Sequence, residues 1–335
     1  MRLSIIIPAY KVEKHIEKCI RSLEDQDIPL SDYEIIVTND GSPDNSATIV
    51  AGLQKVYPNI QLIHQENQGV SMARNHAIEK ATGNYIMPID PDDYVLPNTF
   101  KRVLEIAEQR QLDVLYLGFE IFDADGNAVW HTDYRLQQEQ TYNGVQGYYA
   151  ARGNDVRDPN RSWGILYRRE LIEQYQLRYP KEVPFLEDGQ FLVKVFSMAQ
   201  KVGFDDEKFH QRTTSKGSAT VTGVYHTQKA IDGFLKAAVD LRYFAKQHKF
   251  TQQQQGLINH GLVNYVLLSL LSQISMSKIG GLIKTVDKIK ELGFTKFDTD
   301  GVVEPYLTYA QRFNISPYYF LLCYSAEITK KKIFS

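Results

Sequence analysis

The sequence predicts an α/β protein built on a mainly parallel sheet, followed by a mainly helical C-terminal region. Across the first third, short apolar runs rich in branched or aromatic residues alternate with segments whose apolar residues recur at helical spacing. From about Thr227 onwards only the helical spacing persists. A length of 335 residues indicates about two domains.

The elements follow in order. Leu3 to Ile7, Tyr33 to Thr38, Ile60 to Ile63, Tyr85 to Ile89 and Val114 to Leu117 read as buried strands. Between them, Ile16, Ile20 and Leu23 mark a first helix, and Ile49, Val50, Leu53 and Val56 a second. Met72, Ala73, Ala77, Ile78 and Ala81 mark a third, and Phe100, Val103, Leu104 and Ala107 a fourth. Ser42-Pro43-Asp44 and Pro97-Asn98 are helix-start signals. Phe119 to Phe122, the turn Asp123 to Asn127, and Ala128 to Trp130 form a hairpin pattern around an Asp-Gly dipeptide. Helices then run through Ile231, Phe234, Leu235, Ala238 and Leu241, and through Leu257, Leu262, Tyr265, Val266 and Leu270.

The chain is 43% hydrophobic and 23% charged, as soluble globular proteins are. With 38 Lys and Arg against 40 Asp and Glu there is no basic surplus to release counterions from phosphates, so no nucleic-acid partner is expected. Cys19 and Cys323 lie among apolar residues without metal spacing, and are expected as buried thiols in a reducing compartment. Arg2 and a short strand ending at Pro8 are not a signal peptide, and no stretch approaches the ~20 apolar residues of a spanning helix. A cytoplasmic location is expected.

In an open α/β sheet, ligands gather at the carboxyl ends of the strands. Four clusters fall there: Pro8-Ala9-Tyr10, Asn39-Asp40-Gly41-Ser42, Gly69 to Asn75, and Asp90-Pro91-Asp92-Asp93. Carboxylates this close repel one another unless a cation sits beside them, and a hard divalent ion would bridge them to a diphosphate. A solvated acidic turn capping the next helix accounts for the same residues. Asp40 suits a nucleobase imide N–H, or an ordinary Asp-Gly-Ser turn. Arg74, one turn into a helix, suits an anchor for base or phosphate, or a surface arginine.

In order and spacing these blocks resemble the family 2 glycosyltransferases. The blocks are Ser4 to Tyr10, Ile35 to Asp44, Glu66 to Asn75 and Gly83 to Asp93. The resemblance implies a GT-A type fold binding a nucleotide-diphosphate sugar, with UDP as the default nucleotide. It also implies Mn2+ or Mg2+ at an Asp-x-Asp motif, here Asp90-Pro91-Asp92, with Asp92 as metal ligand and Asp90 beside the ribose or sugar. Pro8, Ala9 and Tyr10 would line the base pocket, and Asp40 would read the base. Two departures stand out: Asn39-Asp40 replaces the usual Asp-Asp, and Tyr10-Lys11 replaces Tyr-Asn.

In the second half, Pro184 to Phe191 resembles the family's Glu-Asp motif. Inversion at the anomeric carbon needs a base for the acceptor hydroxyl, assigned to Asp188 with Glu187 as second choice. Without the resemblance, an acidic helix N-terminus explains this pair. Trp163-Gly164-Ile165-Leu166-Tyr167 resembles the segment before the base, with Ile165 where a lysine is usual. Trp163 either stacks on the acceptor sugar or belongs to the core. His210 is a further candidate metal ligand, with a structural histidine the favoured reading, and Thr213 to Thr220 is composed like a lid.

The expected catalytic domain is 1–222, with nucleotide-sugar binding in 1–118 and the acceptor and base part in 119–222. A helical region occupies 223–335. The expected reaction is transfer to a saccharide or lipid-linked saccharide acceptor in polysaccharide biosynthesis. A non-catalytic sugar-nucleotide-binding protein is the alternative, and a haloacid dehalogenase-type phosphatase a distant one, because Asp90 follows the fourth strand instead of the first. Tyr318 to Leu322 and Lys330-Lys331-Lys332 make a peripheral membrane contact a candidate, against a helix packed on the catalytic domain.

Overall fold

All five apolar runs become strands of one nine-stranded sheet. The computed structural model describes residues 1–123, 125–152, 160–213, 225–275 and 279–334. In chain order the first elements are β1 (Leu3–Ala9), α1 (Ile16–Glu24), β2 (Tyr33–Asp40), α2 (Ser46–Leu53), β3 (Ile60–Gln65), α3 (Val70–Lys80) and β4 (Tyr85–Pro88). Next come β5 (Tyr94–Val95), α4 (Phe100–Gln109), β6 (Val114–Phe122), β7 (Ala128–His131), α5 (Gly144–Ala150), β8 (Ile165–Arg168) and α6 (Arg169–Gln174). The rest are α7 (Glu187–Met198), β9 (Val202–Thr213), α8 (Gln228–Gln247), α9 (Gln252–Ser275), α10 (Ile279–Glu291), α11 (Tyr306–Ile315) and α12 (Pro317–Phe334).

The strand order is β3-β2-β1-β4-β8-β6-β9-β5, with β7 paired to β6. The first four strands in that order are mutually parallel, as the alternating pattern predicts. β8 runs antiparallel to both β4 and β6, β9 runs parallel to β6, and β5 antiparallel to β9. The register pairs Ala9 with Asn39 and Ile6 with Pro88, so β1, β2 and β4 deliver their carboxyl ends to one edge. β1 and β2 are buried along their whole length. β3 departs from expectation: it is an edge strand whose residues after Ile60 are partly or fully exposed. Among the described residues β3 pairs with β2 alone, and Leu62 packs partly buried against the first core.

The predicted hairpin forms between β6 and β7. β6 extends well beyond Leu117, so the run at Val114 and the hairpin arm are one strand. β5 and most of β9 escape a hydrophobic pattern, since β5 is two residues long and β9 is interrupted by Asp205, Asp206, Glu207 and Lys208.

The chain forms two compact units. One comprises Met1–Lys181 with Met198–Ser218, and the other Glu182–Ser197 with Ala219–Ser335. The first core joins Ile5, Ile35, Met87, Leu104 and Leu115 with their neighbours. The second joins Phe234, Val266, Ile289, Phe313 and Phe320. α7 belongs with the helices because Gly261 of α9 lets Val193 and Leu241 approach closely. Gln252–Ile274 is long and apolar enough to cross a membrane, which corrects the expectation of no such stretch; 72% of its apolar window is buried inside the protein. Cys19 is buried as expected, whereas Cys323 is only half-buried, on α12.

Candidate active site

The edge where β1, β2 and β4 end is cross-linked by short polar bridges. The backbone N–H of Lys11 donates to Ser42 Oγ at 2.8 Å, and that of Val12 to Ser46 Oγ at 3.1 Å. Both hydroxyls donate to Asp44 at 2.6 Å, and the N–H of Glu13 reaches its other oxygen at 3.0 Å. Desolvation opposes ionisation of Asp44, but these bonds outweigh it and hold its carboxyl well below the usual range. Lys11 has φ +56°. That left-handed pose suits asparagine better than lysine, and Lys11 adopts it nonetheless. Pro8 and Ala9 are strand residues buried beneath the rim, and Tyr10, 43% exposed, stands at its surface.

Asp40 is 3% exposed and its carboxylate is fully engaged. Oδ1 accepts from Gln65 Nε2 at 2.6 Å and from the N–H of Gln68 at 2.8 Å, and Oδ2 accepts from the N–H of Gly69 at 2.9 Å. Gly69 has φ +88°, a pose glycine takes without strain, and opens α3. The acid therefore shapes the entry to α3. From that helix Arg74, 3% exposed, reaches the next cluster: its Nη2 donates to Asp90 Oδ1 at 2.8 Å. Its guanidinium lies over the ring of Tyr179 at 5.2 Å. Asn75 holds Tyr179 by bonds of 2.9 Å in both directions with its backbone.

Asp90, Asp92 and Asp93 each place a carboxylate oxygen within 4.8 Å of the others. Burial, then repulsion from Asp90 and Asp93, pushes the Asp92 carboxyl up to about 6. Arg74 offsets part of the charge at Asp90, and three hard oxygen donors this close together fit a divalent cation such as Mn2+ or Mg2+. Beneath the turn, burial and then the charges of Asp93, Asp92 and Asp90 drive the Cys19 thiol well up, so it is no nucleophile.

Asp93 has no assigned role in the sequence pattern, and the structure gives it one. Asp93 Oδ2 lies 2.7 Å from Nε2 of His210, and both residues are buried. Burial, then the nearby Arg161 charge, holds His210 down to about 3, so the neutral ring donates to the carboxylate. Nε2 of His210 is thus committed to Asp93. The antiparallel pairing of Val95 with His210 makes the contact, which no sequence spacing reveals. Trp163, 5% exposed, stacks on His210 at 4.5 Å and meets Phe119 edge-on at 5.0 Å. Arg161 lies 4.9 Å from the same indole. His210 covers one face of the Trp163 ring.

Glu187 and Asp188 form the first turn of α7 in the second unit, as their spacing predicts, and both are partly exposed. Tyr265 of α9 donates to the carbonyl of Leu186 at 2.6 Å, just ahead of the pair. Apart from Thr213, which ends β9, the lid-like segment lies outside the described residues. A cleft of about 870 Å³ opens elsewhere, lined by Asn84, Tyr85, Glu108, Arg168 and Arg169 at the start of β4. There Arg2 pairs with Glu108, and Arg169 donates to the Gly83 carbonyl.

Residues 4–176, just over half of the chain, match the family described as Glycosyl transferase family 2. The uncharacterized glycosyltransferase EpsJ of Bacillus subtilis (strain 168) is 37% identical over 219 residues, which are 65% of this chain and 62% of EpsJ. The poly(ribitol-phosphate) beta-N-acetylglucosaminyltransferase TarS of Staphylococcus aureus is 24% identical over 227 residues, 67% of this chain and 38% of TarS. The chain thus spans less than two thirds of the length of either relative. The crystal structure of S. aureus TarS 1-349 in complex with UDP-GlcNAc matches with a TM-score of 0.69 at 20% identity, over 95% of this chain and 90% of that one. The mannosyltransferase PcManGT from Pyrobaculum calidifontis, in complex with GDP-Man and Mn2+, matches with a TM-score of 0.52 at 13% identity, over 96% of this chain and 85% of that one. The fold is therefore of the GT-A type, and on the match over residues 4–176 the chain belongs to glycosyl transferase family 2.

Proposed function

We propose that the protein moves a sugar from a nucleotide-diphosphate donor, with UDP as the nucleotide, to a saccharide or lipid-linked saccharide acceptor, with inversion. The product is a cell-surface polymer and the reaction is cytoplasmic. The observation that carries this is the meeting of Asp90, Asp92 and Asp93 at the carboxyl edge of a family 2 sheet. TarS, a beta-N-acetylglucosaminyltransferase by name and solved with UDP-GlcNAc, supports the choice of nucleotide and of linkage geometry.

Asp92, with Asp90 and Asp93, would hold Mn2+ or Mg2+, and such an ion supplies positive charge to a departing diphosphate. The chain's own residues do the rest. Pro8, Ala9 and Tyr10 form the floor and rim for the base, with Tyr10 offering the exposed ring. Asp40 acts by holding the Gln68–Gly69 backbone, so that the entry to α3 keeps one shape. Arg74 and Asp90 brace each other beside the sugar, and Pro91 stiffens the turn. Asp188 takes the acceptor hydroxyl proton, with Glu187 as second choice; no proton is needed on the leaving group when a cation stabilises it.

The test is a thermal-shift and hydrolysis panel of UDP-GlcNAc, UDP-glucose and GDP-mannose, each with and without Mn2+. A metal-dependent rise in melting temperature with one UDP-sugar, and release of UDP, are expected. Asp188→Asn should lower turnover by about 10²- to 10⁴-fold while donor binding survives. Full turnover in Asp188→Asn would remove the base assignment, and donor hydrolysis without metal dependence would remove the cation.

A further inference from the structure

Leu186 has φ +58°, a left-handed pose that L-residues with bulky side chains avoid. It immediately precedes α7 and so aims the two acids of the first turn, Glu187 and Asp188. A glycine or asparagine would serve this helix entry at less steric cost, but neither would bring an apolar side chain to the helical core as Leu186 does. Such strain persists where the surroundings over-determine it, and it gathers at working sites.

The surroundings here are specific. The hydroxyl of Tyr265, a residue 2% exposed in the middle of α9, donates to the Leu186 carbonyl at 2.6 Å. The Leu186 side chain packs with Phe185 against the helical core. Further along α7, Gln190 and Lys194 both donate to Asp240 of α8, Lys194 at 2.5 Å, which keeps the helix from rolling about its axis. One anchor fixes the rotation of α7, and the other fixes the turn by which the chain enters it.

We propose that Tyr265 is a positioning residue for sugar transfer: its hydroxyl locks the Leu186 turn and thereby sets where the carboxylates of Glu187 and Asp188 point. This rests on the assignment of Asp188 as base. Tyr265→Phe removes one oxygen and leaves the ring beside Phe234, 6.5 Å between centroids.

The experiment measures kcat and KM for nucleotide release with Mn2+ on the full chain. Its donor is whichever of UDP-GlcNAc, UDP-glucose and GDP-mannose the wild type turns over fastest. Amide exchange at residues 187–190 is followed alongside and needs no donor. In Tyr265→Phe, kcat should fall about tenfold with donor KM within about twofold. Exchange at the start of α7 should quicken while α8 and α9 stay protected. The loss should shrink in a Leu186→Gly background, where glycine holds the left-handed turn unaided. Unchanged exchange, unchanged kcat, or a loss shared equally with KM and melting temperature would overturn the inference. Asp188→Asn run in parallel separates the two claims. If it is inactive while Tyr265→Phe keeps wild-type kcat, only the positioning role falls; if it retains full turnover, the base assignment falls and takes the inference with it.

Discussion

The guanidinium of Arg74 and the carboxylate of Asp90 stand 2.8 Å apart, joining α3 to the turn after β4. Arg74 is 3% exposed and Asp90 28%, so the pair is shielded on one side only. Arg74→Met should cost about 2 kcal/mol of stability, because it strands Asp90 beside two other acids. Saturating Mn2+ should recover part of that loss, since a cation offsets the same repulsion. Urea unfolding with and without the metal measures both.

Asp92, pushed up to about 6, makes the metal-free fold less stable at neutral pH than it would be without the acid. Its pKa is raised on folding, so its stabilising contribution is full below the unfolded value near 4 and is lost as pH rises through about 6. Ionising the carboxyl in the folded chain at pH 7 costs up to about 3 kcal/mol, at about 1.36 kcal/mol for each pH unit between those two values. Asp92→Asn should therefore raise metal-free stability at pH 7 to 8 and change it little at pH 4. The same variant should abolish the Mn2+-induced shift in melting temperature. A lower metal-free stability at pH 7 in Asp92→Asn would contradict the repulsion.

Asp40→Asn tests how the rim is held. The amide oxygen can replace one of the carboxylate oxygens that bind Gln65, Gln68 and Gly69, and its NH2 group then faces a backbone donor. A loss of about 2 kcal/mol is expected. On the proposed role of this rim in holding the nucleotide, donor KM should rise more than kcat falls; an unchanged KM would leave Asp40 a purely internal brace.

His210 is held down to about 3 by burial and by Arg161. A depressed pKa contributes stability that is full above the unfolded value near 6.5 and is lost as pH falls towards 3. His210→Gln keeps a donor for Asp93 without a titrating ring. Its unfolding free energy should decline less steeply between pH 6.5 and 4 than the wild type's. In the wild type the His210 ring resonances should stay those of the neutral form down to pH 4, which nuclear magnetic resonance can read.

Local chemistry made much of this protein legible in its sequence. Buried strands such as β1 and β2 announce themselves by the short apolar runs Ile5 to Ile7 and Ile35 to Val37, because both faces are covered. The acidic turn announces itself because Asp90, Asp92 and Asp93 lie within four consecutive positions. Glu187 and Asp188 are legible as a helix start for the same reason. Spacing along the chain carries such information whenever the partners are neighbours in sequence.

Only the tertiary structure decided what those residues touch. Asp93 meets His210 across 117 positions, Arg74 turns to Asp90 instead of solvent, and Tyr265 reaches Leu186 across 79. Trp163 carries no sign in the sequence that His210 stacks on its ring, which the sheet alone arranges. A side chain's donors and acceptors follow from its chemistry, but its partner is set by strand register and helix packing, and those are properties of the whole fold.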